Sequence, residues 1–144
     1  MIYIASDHGG FELKNKIINF LSQKGFTVND MGPSEYNEGD DYPDFVVPLA
    51  REVVKNVSNR GIVICKNGVG VSVSANRFKN IRATLSWNSE HARSSRLDDD
   101  SNVLALPAQY IDDATAFGIV ETWLSTDFSA EPRHIRRIKK VENL

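Results

Sequence analysis

The chain has 144 residues, 41% of them hydrophobic and 25% charged, long enough to bury a core and ordinary for a soluble globular protein. A formal net charge of −2 gives no pull toward nucleic acid or an acidic membrane, and a single cysteine excludes an internal disulfide. With no apolar run of membrane-spanning length and no signal-peptide layout at the start, these totals predict one domain over residues 1–144, soluble and cytoplasmic.

Met1 to Ala5 reads as a short apolar strand, closed by the turn Ser6-Asp7-His8-Gly9-Gly10. Phe11 to Lys24 has helical spacing, with Leu13, Ile17, Ile18, Phe20 and Leu21 on the buried side and Gly25 as the stop. A strand over Phe26 to Asn29 and a polar loop over Asp30 to Asp41 follow. Asp41-Tyr42-Pro43-Asp44 then leads into a helix from Phe45 to Asn56, with Asp44 as its N-cap. Ile62 to Cys65 is a buried strand, broken by Gly68 and Gly70, and an apolar-periodic helix runs on to Arg77.

Further on, Ile81 to Ser86 predicts a strand and Ser89 to Ser95 a helix, with His91 on its surface. Arg96 to Ser101 is then an acidic loop, and Asn102 to Leu106 a fifth strand stopped by Pro107. Ile111 to Ser125 reads as a long helix, and the basic tail from Arg133 to Lys140 as a last helix after Pro132. Strands alternating with helices at this spacing predict an α/β fold: a doubly wound, Rossmann-like, five-stranded parallel sheet with helices on both faces. Right-handed crossovers gather the strands' carboxyl ends on one rim, with Asp7, His8, Cys65, Ser86, Trp87 and Pro107 to Gln109.

Cys65 stands at a strand's carboxyl end beside a glycine-containing loop, where a thiol is placed to act as base or nucleophile; a small buried core residue is the alternative. Asp7 can accept hydroxyl hydrogen bonds and His8 can meet a phosphate or shuttle a proton, or the pair is a helix cap with a surface histidine. Tyr42 can wall a sugar pocket or simply support a helix start. Asp98-Asp99-Asp100 lacks the spacing of a calcium loop and reads as a solvated turn. Arg133, His134, Arg136 and Arg137 form either a solvated helix face or a phosphate clamp that reaches a neighbouring subunit. Neither the Gly-x-x-x-x-Gly-Lys-Ser/Thr nor the Gly-x-Gly-x-x-Gly pattern of nucleotide-binding loops occurs.

Taken in order, these landmarks resemble the ribose-5-phosphate isomerase B family, which includes the galactose-6-phosphate isomerase subunits. The carriers are Ser6 to Lys14, Asp41-Tyr42-Pro43-Asp44, Ile64-Cys65 with Gly68-Val69-Gly70, Ser74-Ala75-Asn76-Arg77, Ile81-Arg82-Ala83, Asn102-Val103-Leu104, and Arg133-His134 with Arg137. The resemblance implies an aldose–ketose isomerase that works through an enediolate without metal or organic cofactor. By default it takes ribose 5-phosphate to ribulose 5-phosphate; a six-carbon phosphosugar, or sugar-phosphate binding without turnover, is the alternative. Cys65 is then the base, and the N–H groups of Asn67, Gly68, Val69 and Gly70 hold the enediolate oxygen. Asp7, Tyr42 and Asn102 contact substrate, and His8 binds the phosphate together with Arg133, His134 and Arg137 of a partner subunit. The assembly implied is a homodimer or a dimer of dimers with shared sites, the C-terminal helix reaching the partner. Three positions differ from the family pattern. Asp98 stands where a ring-opening histidine is usual, Lys66-Asn67 where Gly-Thr or Gly-Ser is usual, and Gln109 where a phosphate-binding arginine is usual, with Arg136 as a candidate substitute.

Overall fold

Period-two alternation organises the centre of the molecule. Strand β3, Arg60–Cys65, sends Ile62 and Ile64 to one face and Val63 and Cys65 to the other. Strand β5, Val103–Pro107, repeats this with Leu104 and Leu106 against Val103 and Ala105. All eight side chains are buried, because helices cover both faces, and so both strands read as unbroken apolar runs.

The computed structural model describes residues 1–144. Its parallel sheet has the order β2-β1-β3-β5-β4, with β1 at Ile2–Ser6, β2 at Val28–Asp30 and β4 at Ala83–Leu85. Helices α1 (Phe11–Gln23), α4 (Ser89–Asp99) and α5 (Asp113–Ser125) cover the face with the larger strand residues, where Trp123, Ile17, Leu21 and Ile119 are buried. Helices α2 (Pro43–Val53) and α3 (Val69–Ala75) cover the smaller-residue face with Val46, Leu49, Ala50, Val71 and Ala75. Helix α6, Pro132–Glu142, lies beside α4.

The doubly wound sheet with helices on both faces is therefore as the sequence predicts, while several boundaries move. Helix α2 starts at Pro43 with Tyr42 at the N-cap, so Asp44 is not the cap but a first-turn residue whose carboxylate faces the helix's positive end. The expected acidic loop is helix through Asp99, because buried Arg96 ties it down: its guanidinium donates to Asp100 Oδ1 at 2.7 Å and to the Thr126 carbonyl at 3.1 Å. Asp100 closes that helix in the left-handed region at φ 46°. Helix α5 begins at Asp113 rather than Ile111, since Asp112 Oδ1 accepts the Thr115 N–H at 2.7 Å and caps it. His91 is not a bare surface residue. Its Nδ1 lies 2.9 Å from Ser86 Oγ, and its ring stacks on Trp87 at 4.1 Å between centroids.

A lysine also carries its charge into the core. Lys14 is fully buried, and its Nζ donates to both Asp30 carboxylate oxygens at 2.7 Å and to the Pro33 carbonyl at 3.0 Å. All three ammonium donors thus have acceptors, which is the condition for burying such a charge. The ion pair fastens the loop after β2 to α1, and that loop runs on to Asp40 and Tyr42.

Candidate active site

Strand order places the site. The chain leaves β1 through α1 to β2 on one side and returns through α2 to β3 on the other, so β1 and β3 are neighbours whose following segments diverge. A crevice at such a switch point, outside the strands' carboxyl ends, is where this class of sheet binds ligands. Here Asp7 and His8 follow β1, Cys65 ends β3, and Lys66 and Asn67 follow it. Together with Tyr42 at the start of α2 and Val69, Gly70 and Val73 of α3, they line a cleft of about 510 Å³. The structure thus brings together Asp7, His8, Tyr42, Cys65, Asn67, Val69 and Gly70 as the sequence predicts.

Close backbone packing brings the two loops this near. A Cβ on Gly10 would stand 2.6 Å from the Ile64 carbonyl oxygen, and one on Gly9 3.0 Å from the Lys66 nitrogen. A Cβ on Gly70 would stand 2.5 Å from Tyr42 Cζ, so the tyrosine ring lies directly on α3 and walls the cleft. Gly68 adopts φ 73°, the left-handed conformation that glycine takes without penalty.

Cys65 is 4% exposed, its sulfur at the cleft floor. The Gly68 N–H donates to Sγ at 3.2 Å, and the S–H has Asn67 Oδ1 as an acceptor at 3.7 Å, so thiol and thiolate both find a partner. Asn67 Oδ1 also accepts the Val69 N–H at 3.0 Å. Two of the four backbone donors expected to hold an oxyanion are therefore already engaged, by the sulfur and by the asparagine. The Gly70 N–H, in the first turn of α3, has no intrahelical carbonyl to bind.

The opposite wall is acidic and bonded. Asp7 is buried and caps the turn after β1 through the Gly9 N–H at 2.9 Å; burial pushes its carboxyl above the usual range. Its capping role and its place in the cleft coexist. His8 is gripped by Asp40, whose Oδ1 accepts the His8 backbone N–H at 2.9 Å and lies 2.7 Å from Nδ1. This carboxylate raises the imidazole above its ordinary value. Asp7, His8 and Asp40 bring ligating atoms within 4.8 Å of one another, as metal ligands do, but His8 Nδ1 and Asp40 Oδ1 already bind each other. Asp40 Oδ2 and Ser6 Oγ are buried without a hydrogen-bond partner. Asp40 is the site residue that sequence reading missed, hidden in a polar loop where nothing distinguishes one carboxylate from the next.

The remaining candidates lie on the other rim. Asn102 precedes β5, level with the start of β3, and Cys65 is at the far end, roughly 16 Å along a six-residue strand. Asn102 is engaged there: Oδ1 accepts the Arg82 N–H at 2.8 Å and Nδ2 donates to the Asn80 carbonyl at 2.7 Å. Asp98, in the last turn of α4, is half exposed, with its Oδ1 3.7 Å from His134 Nε2. His134 is buried and its Nδ1 lies 2.9 Å from Ser129 Oγ, so it does not stand free for a phosphate. Arg133 and Arg137 are exposed on α6, where Arg133 Nε donates to Glu131 Oε2 at 2.9 Å. Within one chain these groups do not meet Cys65. Nor does Arg136 stand by Gln109, whose neighbour is Lys66: the Gln109 N–H donates to the Lys66 carbonyl at 2.9 Å, and both line an adjoining cleft with Gly9.

Comparison with known proteins adds relatives to this geometry. Residues 2–141 match the family described as Ribose/Galactose Isomerase. The ribose-5-phosphate isomerase B of Mycolicibacterium paratuberculosis is 36% identical over 137 residues, covering 95% of this chain and 86% of that protein. The crystal structure of ribose-5-phosphate isomerase B from Mycoplasma genitalium with bound ribulose 5-phosphate superposes with a TM-score of 0.95 at 40% identity, covering 99% of this chain and 93% of that one. The ribose 5-phosphate isomerase of Thermotoga maritima gives a TM-score of 0.95 at 42% identity, with 99% and 97% covered.

Proposed function

Because the chain belongs to the ribose/galactose isomerase family, we propose that it interconverts ribose 5-phosphate and ribulose 5-phosphate, moving a proton between the sugar's first two carbons through an enediolate. The observation that carries this reading is the buried Cys65 thiol at the switch point, facing the same cleft as Asp7, His8 and Tyr42. Cys65 takes the proton from C2 of the open-chain aldose and returns it to C1. Negative charge then develops on the carbonyl oxygen, for which the Asn67 and Gly70 N–H groups and Asn67 Nδ2 are the unengaged donors. Asp7 and Tyr42 position hydroxyls, and His8 meets the phosphate.

The groups on the far rim enter from a second copy of the chain. The partner subunit's Arg133 and the partner subunit's Arg137 face the phosphate as bidentate cations. Asp98 of the partner subunit supplies the proton that opens the sugar ring, and His134 of the partner subunit acts through that carboxylate rather than on the phosphate. Asn102 supports the segment beside it. Arg133 and Arg137 share one exposed face of α6, four residues apart, which suits a surface that completes a neighbour's site.

The test is turnover of ribose 5-phosphate by the purified protein, followed as ketose, with a chelator present. Turnover that persists in chelator is expected. A protein that binds the sugar phosphate and never converts it would leave a binding role, and faster conversion of a six-carbon phosphosugar would move the substrate. Site sharing has its own check. Cys65→Ala and Arg137→Ala chains, each inactive alone, are expected to regain partial activity when unfolded, mixed and refolded together; a mixture as inactive as its components would place each site within one chain.

A further inference from the structure

We propose that Asp40 is a positioning residue for the isomerisation: by accepting from His8 Nδ1 it fixes the ring and leaves Nε2 as the donor that receives the substrate phosphate. The inference rests on the reading of the cleft as a sugar-phosphate site. Asp40 lies 32 residues from His8 in sequence, yet a single oxygen of its carboxylate binds both the backbone N–H and the ring nitrogen of that residue. Its side chain is only 8% exposed, against 36% for His8, so the carboxylate is a fixed internal support and the imidazole is the exposed end of the pair.

The chemistry of the ring makes the support consequential. A carboxylate only accepts, so Nδ1 carries the proton. With Nδ1 protonated, a neutral ring presents a lone pair at Nε2, which repels a phosphate oxygen. Only the imidazolium presents an N–H there. The second charge-stabilising partner is Asp7, next in the chain and in the same cleft. Tyr36 meets the ring edge-on at 6.4 Å between centroids and adds no charge. The other groups around the two clefts that His8 lines are Lys66, Tyr42 and Cys65 on one side and Glu12 and Lys16 on the other. Lys16 is compensated by Glu12 at 2.8 Å and Asp113 at 2.9 Å, while Lys66 makes no ion pair and is the second cation open to the phosphate. Asp40 is thus the group that keeps His8 cationic as pH rises through the neutral range. His8 stays charged below its raised value, and loses that charge earlier when the carboxylate is removed.

The experiment is the isosteric Asp40→Asn variant, with KM and kcat for ribose 5-phosphate measured from about pH 5.5 to 8.5, beside an NMR titration of His8 assigned by its loss in His8→Asn. The expected result is a His8 titration lowered by about one unit and a KM raised about tenfold near pH 8, with little change near pH 5.5 and kcat within about threefold throughout. A KM that rises equally at every pH, or a His8 titration that does not move, would overturn the proposal. Should Asp40→Asn fail to fold, the wild-type titration decides: His8 titrating at or below its ordinary value overturns it. Chemical-shift titration with inorganic phosphate keeps the two readings apart. A wild type that turns over no sugar phosphate sinks the isomerase reading, whereas Asp40 is still tested by whether phosphate moves the His8 resonance at pH 8 in wild type and fails to in Asp40→Asn.

Discussion

Cys65→Ala is expected to lower the rate of ketose formation by about a thousandfold or more, with the protein still folded and still able to bind sugar phosphate. The substitution removes one sulfur atom from a residue packed among Val63, Val71 and Ala105, so it leaves a small cavity and costs about 1 kcal/mol of stability. What it removes from the chemistry is larger. The sulfur stands on the cleft floor with a backbone donor already aimed at it. Asp7 lies in the same cleft, but one carboxylate oxygen is held by the Gly9 N–H at the cap. Cys65→Ser sharpens the comparison, because it keeps the shape and replaces the thiol with a hydroxyl that scarcely ionises; it is expected to be nearly as inactive as alanine. Initial rates with ribose 5-phosphate, beside a thermal melt, read both quantities. Activity within about tenfold of wild type in either variant would remove Cys65 as the base.

Gly68→Ala is expected to lower kcat about a hundredfold and stability by about 1–3 kcal/mol. Two causes act together. The residue adopts φ 73°, where an L side chain is strained, and its new Cβ would stand 2.4 Å from Leu85 Cδ1 and 3.1 Å from the backbone between Leu106 and Pro107. The leucine tip can turn away; the strand backbone cannot. The loop must therefore lift, and the Gly68 N–H that donates to the Cys65 sulfur goes with it. Gly25→Ala separates the two causes. That glycine also has positive φ, at 85°, but its Cβ would meet nothing within 4 Å and it lies far from the cleft at the end of α1. It is expected to lose about 1 kcal/mol and no activity, measured by urea denaturation and by rate. A Gly68→Ala protein as active as the Gly25→Ala protein would mean that loop geometry does not matter to the chemistry.

The parts of this molecule that were legible in its sequence are those where burial writes a pattern. Ile62 to Cys65 and Val103 to Leu106 are apolar on both faces, which only a strand covered by helices on either side explains. Cys65 and Asp7 were legible as lining one cleft because Cys65 ends a strand and Asp7 follows one, and strand ends of one polarity share a rim. The same rule places Asn102 before a strand and thus on the opposite rim, but a motif read as a linear string does not display it. Lys14 was illegible for the reverse reason: a charge inside the core contradicts its own composition, and only the partner Asp30, brought over by β2, accounts for it. His91 and Asp40 share that difficulty. Their roles depend on what faces them, Ser86 in one case and His8 in the other, and pairings between residues of different segments leave no period in a sequence.

The alternation along β3 has a consequence for how this protein can change. Which core a strand residue enters depends on whether its position counts odd or even from the strand's start, and Cys65 shares its count with Val63, not with Ile64. The thiol's orientation is therefore a matter of parity. Adding or deleting one residue between Arg60 and Cys65 would exchange the two sets and turn the sulfur toward α1 and α5, although every residue type needed for the reaction were still present. Loops around the cleft can lengthen while the sulfur keeps its place, but this strand tolerates replacement and not miscounting.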